Sequence, residues 1–292
     1  MLIDGKKISR KVRNSLKSRI EAIKKDGIIP GLSVILIGDN PASQVYVRMK
    51  KKAFKKLGLN STTHKLPEDI QQSEVLDLID KLNNDDNIHG ILIQLPVPDH
   101  LDEMALLEAV DPRKDADGIH PVSMGKMVLG IEAPLPCTPH GILKLLQYSN
   151  ISTEGKHAVV IGRSNIVGKP ILNLLGQKED FGNATVTLCH SRTKNIKEMT
   201  KQADILISAA GRPAMITADH VKEGVVVIDV GVNRVEAPET EKGYRLVGDV
   251  KFEEVSEKAS AITPVPGGVG PMTISMLLYN TVYLAEKYGH PS

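Results

Sequence analysis

The sequence predicts an α/β protein with two domains. The chain has 292 residues, about twice the length of an average domain. Short runs rich in Val and Ile recur at wide spacing along the chain. Segments with helical spacing of their apolar residues separate these runs. Such an alternation of strands and helices is typical of mainly parallel sheets covered by helices.

The predicted strands are continuous apolar runs, as expected for strands buried on both faces. They lie at residues 33–37, 90–95, 157–161, 185–189, 204–208 and 225–229. Three helices are indicated by apolar residues three or four positions apart. Their faces carry, in turn, Ile8, Val12, Leu16, Ile20 and Ile23; Val45, Met49, Ala53 and Leu57; and Val75, Leu76, Ile79 and Leu82. Further helices are predicted at 140–148, directly after Gly168, and at 272–288.

A domain boundary is predicted near residues 118–121. Two strand–helix units precede it, and a helix followed by four closely spaced strands comes after it. The last helix is expected to pack back on the first domain. The predicted domains are therefore 1–120 plus 272–292, and 121–271.

Composition excludes several classes of protein. Aromatic residues make up 3% of the chain, Trp is absent and the net charge is +2, which argues against nucleic-acid binding. Cys137 and Cys189 form no disulfide framework, so a reducing cytoplasmic setting is expected. Asp4, Lys6 and Lys7 interrupt the N-terminus where a signal peptide would be apolar. We expect a small-molecule partner, and no membrane, nucleic-acid or metal site.

A turn suited to a dinucleotide follows the strand at 157–161. It begins with Gly162, Arg163 and Ser164, and a helix starts near Gly168. Backbone N–H groups at such a helix start can hold a pyrophosphate. The glycine pattern is imperfect, because Ser164 and Val167 stand where the fingerprint has its second and third glycines. An ordinary turn between a strand and a helix therefore stays open on this motif alone.

The end of the next strand favours NADP over NAD. An NAD site usually places a carboxylate there for the ribose 2′-hydroxyl. This chain has Ser191 and Arg192 instead, with Arg163 in the neighbouring turn. Guanidinium groups match phosphate oxygens, which indicates a 2′-phosphate. Arg192 could equally be a solvated surface residue.

Tyr46 and Lys50 are the first catalytic candidates. A separation of four residues puts both side chains on one helix face. A lysine there can act as an acid or a base if burial lowers its pKa. The alternative is that Lys50 begins a solvated run with Lys51 and Lys52. Against this, Lys50 neighbours Tyr46 and Phe54 on the helix, whereas the other lysines lie on other faces.

Further candidates lie at a strand end and at the domain boundary. Gln94 closes the second predicted strand, where open α/β sheets bind ligands. Asp117 could accept two N–H bonds from an amino-pyrimidine edge, although an Asp-Gly pair is also common in turns. The Gly- and Pro-rich loop at 264–271 would let a flat ligand approach the backbone.

Together these motifs resemble the bifunctional methylenetetrahydrofolate dehydrogenase/methenyltetrahydrofolate cyclohydrolase family. The residues that carry the resemblance are 39–43 with Tyr46 and Lys50, 90–96, 114–118, 136–139, 160–170, 227–231 and 263–273. The resemblance implies an N-terminal α/β folate domain, a C-terminal Rossmann-like doubly wound NADP domain and a cleft between them. It also implies NADP-linked oxidation of 5,10-methylenetetrahydrofolate and hydrolysis of the product to 10-formyltetrahydrofolate. A cytoplasmic homodimer in one-carbon metabolism, supplying purine biosynthesis, is expected.

The resemblance also implies roles for individual residues. Lys50 would be the acid or base, hydrogen-bonded by Gln94; Tyr46 would pack on the folate, and Asp117 would bind the pterin amino edge. The implied folate site consists of Tyr46, Lys50, Ile93, Gln94, Leu95, Asp117, Pro266, Gly267, Gly268, Val269, Gly270 and Pro271. The implied NADP site consists of Gly162, Arg163, Ser164, Ser191, Arg192 and Val232, with Thr138 near the nicotinamide.

Three alternatives remain at this stage. A short-chain dehydrogenase also uses a Tyr-x-x-x-Lys pair, but there the pair follows the glycine-rich turn, whereas Tyr46 and Lys50 precede Gly162. A nucleotide-binding regulator would need the turn but not Tyr46, Lys50 and Gln94. A family member that has lost one of the two activities would keep the same motifs.

Overall fold

The computed structural model describes residues 1–240 and 243–290, which form two compact units. The first unit comprises Lys11–Cys137 and Ile274–Ser292, and the second comprises Met1–Arg10 and Thr138–Thr273. Pro291 and Ser292, the end of the predicted first domain, lie outside the described residues. No helix in the described ranges is both long and apolar enough to cross a membrane.

The first unit is built on a three-stranded parallel sheet with the order β2-β1-β3. Its helices and strands are α1 (Gly5–Lys25), β1 (Gly31–Ile37), α2 (Pro41–Lys56), β2 (Asn60–Leu66), α3 (Gln72–Asn83), β3 (Gly90–Ile93), α4 (Glu103–Ala109) and α5 (Pro121–Val128). A short 3₁₀ helix spans Pro112–Lys114. Every residue of β1 and β3 is buried, as the continuous apolar runs predict.

The prediction of only two strands in the first half of the chain is wrong. Strand β2 pairs with β1 along its whole length, from Gly31 opposite Asn60 to Ile37 opposite Leu66. It lies at one edge of the sheet, and its residues are exposed or half-buried. A strand of this kind needs no apolar run, so its sequence carries none of the signal by which the other strands are recognised.

The apolar face predicted for α2 is also wrong in part. Val45 and Met49 are 44% and 46% exposed, whereas Val47 and Phe54 are buried. Apolar residues occupy two faces of this helix, and the one that carries the large Phe54 side chain packs inward. Lys50 lies on that inward face and is 8% exposed.

The second unit contains a five-stranded parallel sheet with the order β10-β7-β6-β4-β5. From its start the elements are α6 (Cys137–Tyr148), β4 (His157–Ile161), α7 (Gly168–Gly176), β5 (Thr185–Cys189), α8 (Ile196–Thr200), β6 (Ile205–Ser208), β7 (Val226–Asp229), β8 (Asn233–Glu236), β9 (Tyr244–Val247), α9 (Phe252–Lys258) and β10 (Ala261–Ile262). The last helix, α10 (Val269–Tyr288), begins in this unit, and from Ile274 onward it belongs to the first unit. A 3₁₀ helix spans Ala218–His220. The core side chains between these elements are Val, Ile, Leu, Ala and Cys.

The strand order of this sheet creates a ligand-binding point. Strands β4 and β6 are neighbours, although β5 lies between them in the sequence, so the direction of winding reverses between β4 and β6. Doubly wound sheets bind ligands outside the carboxyl ends of the strands at such a reversal. Gly162 follows β4 and Ala209 follows β6, which places both residues there.

Several strands of the second unit depart from the sequence prediction. Strand β5 is an edge strand with only Cys189 buried, so the expected burial on both faces is wrong for it. The antiparallel pair β8–β9 and the two-residue β10 were not predicted. Short strands with alternating or exposed side chains lack the continuous apolar pattern on which the prediction depends.

Candidate active site

A buried lysine and a glutamine meet in the first unit. The Nζ of Lys50 donates a hydrogen bond to Oε1 of Gln94 at 2.9 Å. The Nε2 of Gln94 donates to the carbonyl of Leu95 at 2.9 Å, which fixes the amide with its oxygen toward Lys50. The backbone N–H of Gln94 donates to the Ile35 carbonyl at 2.9 Å, so the residue is held at the carboxyl end of β3. The amide is thus preorganised as an acceptor for the amine.

The surroundings of Lys50 favour its neutral form. Burial lowers the pKa of Lys50, and the negative charge of Asp117 partly opposes this effect. Lys51 and Lys52, the next two residues, are exposed. The interpretation of this run as a solvated surface therefore holds for Lys51 and Lys52 but not for Lys50. A buried lysine with a lowered pKa can exchange protons near neutral pH.

Tyr46 lies one helical turn before Lys50 and is half-buried. Burial raises the pKa of its hydroxyl above the ordinary value for tyrosine. The phenol therefore stays protonated, and it can pack against or donate a hydrogen bond to a bound ligand.

Asp117 and Asp115 have different environments. Asp115 is buried, and its carboxylate accepts hydrogen bonds from the N–H groups of Gly118 at 2.9 Å and His120 at 2.9 Å. Its side chain therefore holds the turn that contains Asp117 and Gly118. Asp117 is half-buried, and it is close enough to Lys50 and Cys137 for its charge to act on both groups.

The other predicted folate residues divide between the two units. Ile93 is buried and Leu95 is half-buried beside Gln94. Pro266, Gly267, Gly268, Val269, Gly270 and Pro271 belong to the second unit, where the carbonyl of Gly267 accepts a hydrogen bond from the N–H of Lys6 at 3.1 Å. The assignment of that loop to the folate site stays a prediction.

A cavity of about 230 Å³ lies at the strand reversal of the second unit. It brings together the predicted residues Gly162, Arg163 and Ser191 with Arg212, which the sequence analysis did not single out. The remaining lining residues are Ile161, His190, Ile196, Ala209, Ala210 and Met215. Two guanidinium groups and a hydroxyl around a glycine turn form a site that fits the phosphates of NADP.

Two glycines allow backbone segments to approach each other closely at this turn. Gly162 has a φ of +115°, and a Cβ there would lie 2.3 Å from the carbonyl oxygen of Ala209. A Cβ on Gly168 would lie 2.0 Å from the carbonyl oxygen of Gly162. The Oγ of Ser164 accepts from the N–H of Val167 at 3.2 Å, which closes the loop before the helix. Gly168, one position past the usual fingerprint, therefore supplies the close contact between helix and strand.

The other predicted cofactor residues do not line this cavity. Arg192 is exposed, and its backbone N–H donates to Nδ1 of His190 at 3.1 Å. Val232 is exposed, and the hydroxyl of Thr138 is 3.0 Å from that of Thr273. Their contacts with NADP stay predictions.

Sequence reasoning missed a buried carboxylate behind the cavity. Asp249 accepts hydrogen bonds from the N–H groups of Ala210 at 2.7 Å, Gly211 at 3.1 Å and Arg212 at 2.9 Å. It also accepts one from Nδ2 of Asn233 at 2.9 Å. The rule that ligands bind at strand ends could have found Arg212, which follows β6 by a few residues. No sequence signal marks Asp249, because its contacts form only in the folded sheet.

A second carboxylate, Asp229, ends β7 and is buried beside Asp249. Its oxygens accept from the N–H groups of Gly231, Asp249 and Val250, each at 3.0 Å. Burial raises the pKa of Asp229 from 3.8 to about 7, against the effect of these bonds. Between pH 3.8 and about 7, the carboxyl of Asp229 is therefore protonated in the folded protein and ionised in the unfolded chain.

Stability should therefore depend on pH through Asp229. The free energy of unfolding falls as pH rises from 3.8 to about 7, by up to roughly 4 kcal/mol from this group. Asp229→Asn removes the titration. We expect denaturant unfolding to show a larger loss of stability in the parent than in the variant between about pH 5 and pH 8. Equal losses in both proteins would contradict the raised pKa.

Comparison with known proteins matches the chain in two consecutive parts. Residues 3–117 match the catalytic domain of the tetrahydrofolate dehydrogenase/cyclohydrolase family, and residues 136–289 match its NAD(P)-binding domain. A "Bifunctional protein FolD" of Chlorobium chlorochromatii is 58% identical over 290 residues, which cover 98% of each chain.

Solved structures agree with these sequence matches. The crystal structure of a bifunctional FolD methylenetetrahydrofolate dehydrogenase/cyclohydrolase from Campylobacter jejuni has a TM-score of 0.92 and 51% identity, covering 98% of this chain and 99% of that chain. A Trypanosoma brucei dehydrogenase-cyclohydrolase in complex with NADP and an inhibitor has a TM-score of 0.93 and 38% identity, covering 98% of this chain and 97% of that chain.

Proposed function

Because the chain belongs to the tetrahydrofolate dehydrogenase/cyclohydrolase family, we propose that it is a bifunctional enzyme of one-carbon metabolism. It oxidises 5,10-methylenetetrahydrofolate to 5,10-methenyltetrahydrofolate with NADP, and it hydrolyses that product to 10-formyltetrahydrofolate. The observation that carries this function is the buried amine of Lys50 bonded to Gln94, within the part of the chain that matches the family's catalytic domain.

Lys50 serves the hydrolytic step as a general base. Water adds to the cationic methenyl carbon while the neutral amine removes a proton from it. The protonated lysine then returns this proton to N5 as the carbon–nitrogen bond to N5 breaks, and the hydroxyl proton of the adduct leaves to solvent as the formyl carbonyl forms. Gln94 accepts a hydrogen bond from Nζ of Lys50. This bond fixes one N–H of the amine and thereby sets the directions of its lone pair and of its other N–H groups. The lowered pKa of Lys50 makes the neutral amine available for this work.

Asp117 and Tyr46 hold the substrate around Lys50. The carboxylate of Asp117 accepts N–H bonds from the amino-pyrimidine edge of the pterin. Two parallel N–H groups in one plane match the two oxygens of a carboxylate. Tyr46 packs on the flat ring from the same helix as Lys50. The negative charge of Asp117 also stabilises the positive methenyl group and the protonated lysine.

Arg163 and Ser191 bind the 2′-phosphate of NADP at the cavity of the second unit. NADP held there would supply the hydride acceptor for the oxidation of the methylene carbon. The glycines at 162 and 168 keep the turn open for the pyrophosphate. Arg192, Ser164, Val232 and Thr138 complete the proposed NADP contacts.

The test is an absorbance assay that follows methenyl formation and decay with methylenetetrahydrofolate and either cofactor. We expect a higher kcat/KM with NADP than with NAD. Arg163→Ala should lower kcat/KM for NADP by roughly 10- to 100-fold, the effect of losing a charge-assisted hydrogen bond to phosphate, and leave that for NAD nearly unchanged.

Arg245→Ala, which changes an exposed arginine on β9, is the matched control and should behave as the parent does. No methenyl signal with either cofactor would contradict the proposed function. Equal kcat/KM values for NADP and NAD in the parent would contradict the 2′-phosphate site.

We further propose that the enzyme is a cytoplasmic homodimer and that its formyl product feeds purine biosynthesis. The family resemblance supports the dimer and the metabolic role. Both cysteines, Cys137 and Cys189, are buried thiols without a disulfide, as a reducing compartment favours. Sedimentation analysis of the purified protein would test the dimer.

A further inference from the structure

Asn280 is a buried side chain that joins two segments beside the catalytic candidates of the first unit. It lies on α10 and is 1% exposed. Its Nδ2 donates hydrogen bonds to the carbonyls of Ala116 and Leu135, both at 2.9 Å. The same nitrogen is 3.6 Å from Sγ of Cys137. One amide group thus ties together segments that are about twenty residues apart in the chain.

The two tied segments enclose Asp117. Ala116 precedes it, and the carbonyl of Asp117 accepts a hydrogen bond from the N–H of Cys137 at 3.1 Å. Gly118 follows with a φ of +72°, and a Cβ there would lie 2.3 Å from the carbonyl carbon of Leu135. The peptide that carries the Asp117 carboxylate is therefore held from both sides, and Asn280 supplies two of the bonds that hold it.

The chemistry at this position calls for an amide. The bond to the Ala116 carbonyl is buried and that to the Leu135 carbonyl is part-buried, and a single NH₂ group offers a donor to both in one plane. A hydroxyl could satisfy one of them, and a carboxylate would place a negative charge against both oxygens. The packing of Asn280 in the core of the unit leaves it no contact with solvent that could compensate.

We propose that Asn280 is a positioning residue that sets the place of the Asp117 carboxylate relative to the amine of Lys50, and thereby controls folate affinity in both reactions and proton transfer in the hydrolysis. The proposal rests on the function proposed above. Asn280 itself touches neither proposed reacting group; it acts through the backbone on either side of Asp117.

The charges around Lys50 make the effect measurable. Asp117 raises the pKa of Lys50 against the effect of burial. The thiol of Cys137 remains neutral, because burial and the charge of Asp117 raise its pKa well above the ordinary value. Asp115 faces Asp117 from the preceding turn. A displacement of Asp117 would therefore lower the pKa of Lys50 further.

The experiment uses the full-length enzyme with Asn280→Leu, which keeps the branching and the number of side-chain heavy atoms but removes both donors. We expect KM for methylene- and methenyltetrahydrofolate to rise by roughly tenfold in both activities, the effect of misplacing one charged hydrogen-bond acceptor. In the pH–rate profile of hydrolysis, the limb that reflects deprotonation of Lys50 should move to lower pH. The Kd of NADP, measured by calorimetry, should not change.

Thr281→Val is the matched control. Thr281 is the next residue on α10 and is buried. Its hydroxyl donates a hydrogen bond to the carbonyl of Leu277 in the same helix at 2.8 Å. This variant loses a buried hydrogen bond that joins two residues of α10 and involves neither Ala116 nor Leu135, so its KM values and pH limb should match the parent's.

Parent-like KM values and an unmoved pH limb in Asn280→Leu, with only a lower melting temperature, would overturn the proposal, since a merely structural residue would behave in this way. If that variant does not fold, Asn280→Ser, which keeps one donor, decides by the same two readouts. A parent enzyme without turnover of folate would contradict the proposed function instead, so the two failures are distinguishable.

Discussion

Methionine in place of Lys50 should abolish hydrolysis of methenyltetrahydrofolate. The rate is expected to fall by roughly 10²- to 10⁴-fold, the usual contribution of a positioned general base. Methionine fills a similar volume but has no lone pair for the proton of the attacking water. The measurement is the decay of methenyl absorbance, corrected for the uncatalysed reaction at the same pH.

The fold should survive this change, because removal of a buried amine takes away a desolvated polar group. The melting temperature of Lys50→Met should equal or exceed that of the parent. Lys51→Met is the matched control, since Lys51 is the exposed neighbour on the same helix, and it should hydrolyse at the parent's rate. Hydrolysis at the parent's rate by Lys50→Met would remove Lys50 from the mechanism.

Alanine in place of Asp249 should have the largest effect on the cofactor side. The change leaves the N–H groups of Ala210, Gly211 and Arg212 without their acceptor. These N–H groups are only part-buried, so water can hydrate them in the variant, and the loss of unfolding free energy should be about 1–3 kcal/mol in total. The loop that carries Arg212 into the cavity is then no longer fixed, and KM for NADP should rise by roughly 100-fold.

Thermal unfolding and calorimetric titration with NADP measure the two effects. Asp219→Ala is the control, because Asp219 is an exposed carboxylate with an ion pair to Lys197. Its stability should remain within about 0.5 kcal/mol of the parent's. Parent-like NADP affinity in Asp249→Ala would show that the loop keeps its shape without the carboxylate.

The parts of the candidate site that the sequence could predict are those encoded locally. The turn after β4 is one example, because its glycines and the start of the next helix lie within a few residues. The pairing of Tyr46 with Lys50 is another, since helical spacing alone puts both on one face. The inward direction of that face was harder to predict. Val45 and Met49 form an equally apolar stripe, and only the packing of Phe54 decides which one is buried.

Edge strands illustrate a second reason for failure. Strand β2 reads Asn60, Ser61, Thr62, Thr63, His64, Lys65 and Leu66, which gives no apolar run. Its partner β1 supplies the hydrogen bonds, so the strand exists because of its neighbour rather than because of its own side chains.

By itself, the sequence determined the α/β class, the dinucleotide turn and the family to which the chain belongs. These depend on periodicity and on motifs that are read within short stretches of chain. The tertiary structure alone decided that Lys50 is buried against Gln94, that Asp249 holds the loop of Arg212, and that Asn280 holds the peptide of Asp117. These contacts join residues 44, 37 and 164 positions apart in the chain. Hydrogen bonds at that separation depend on which elements pack together, and no local pattern records them.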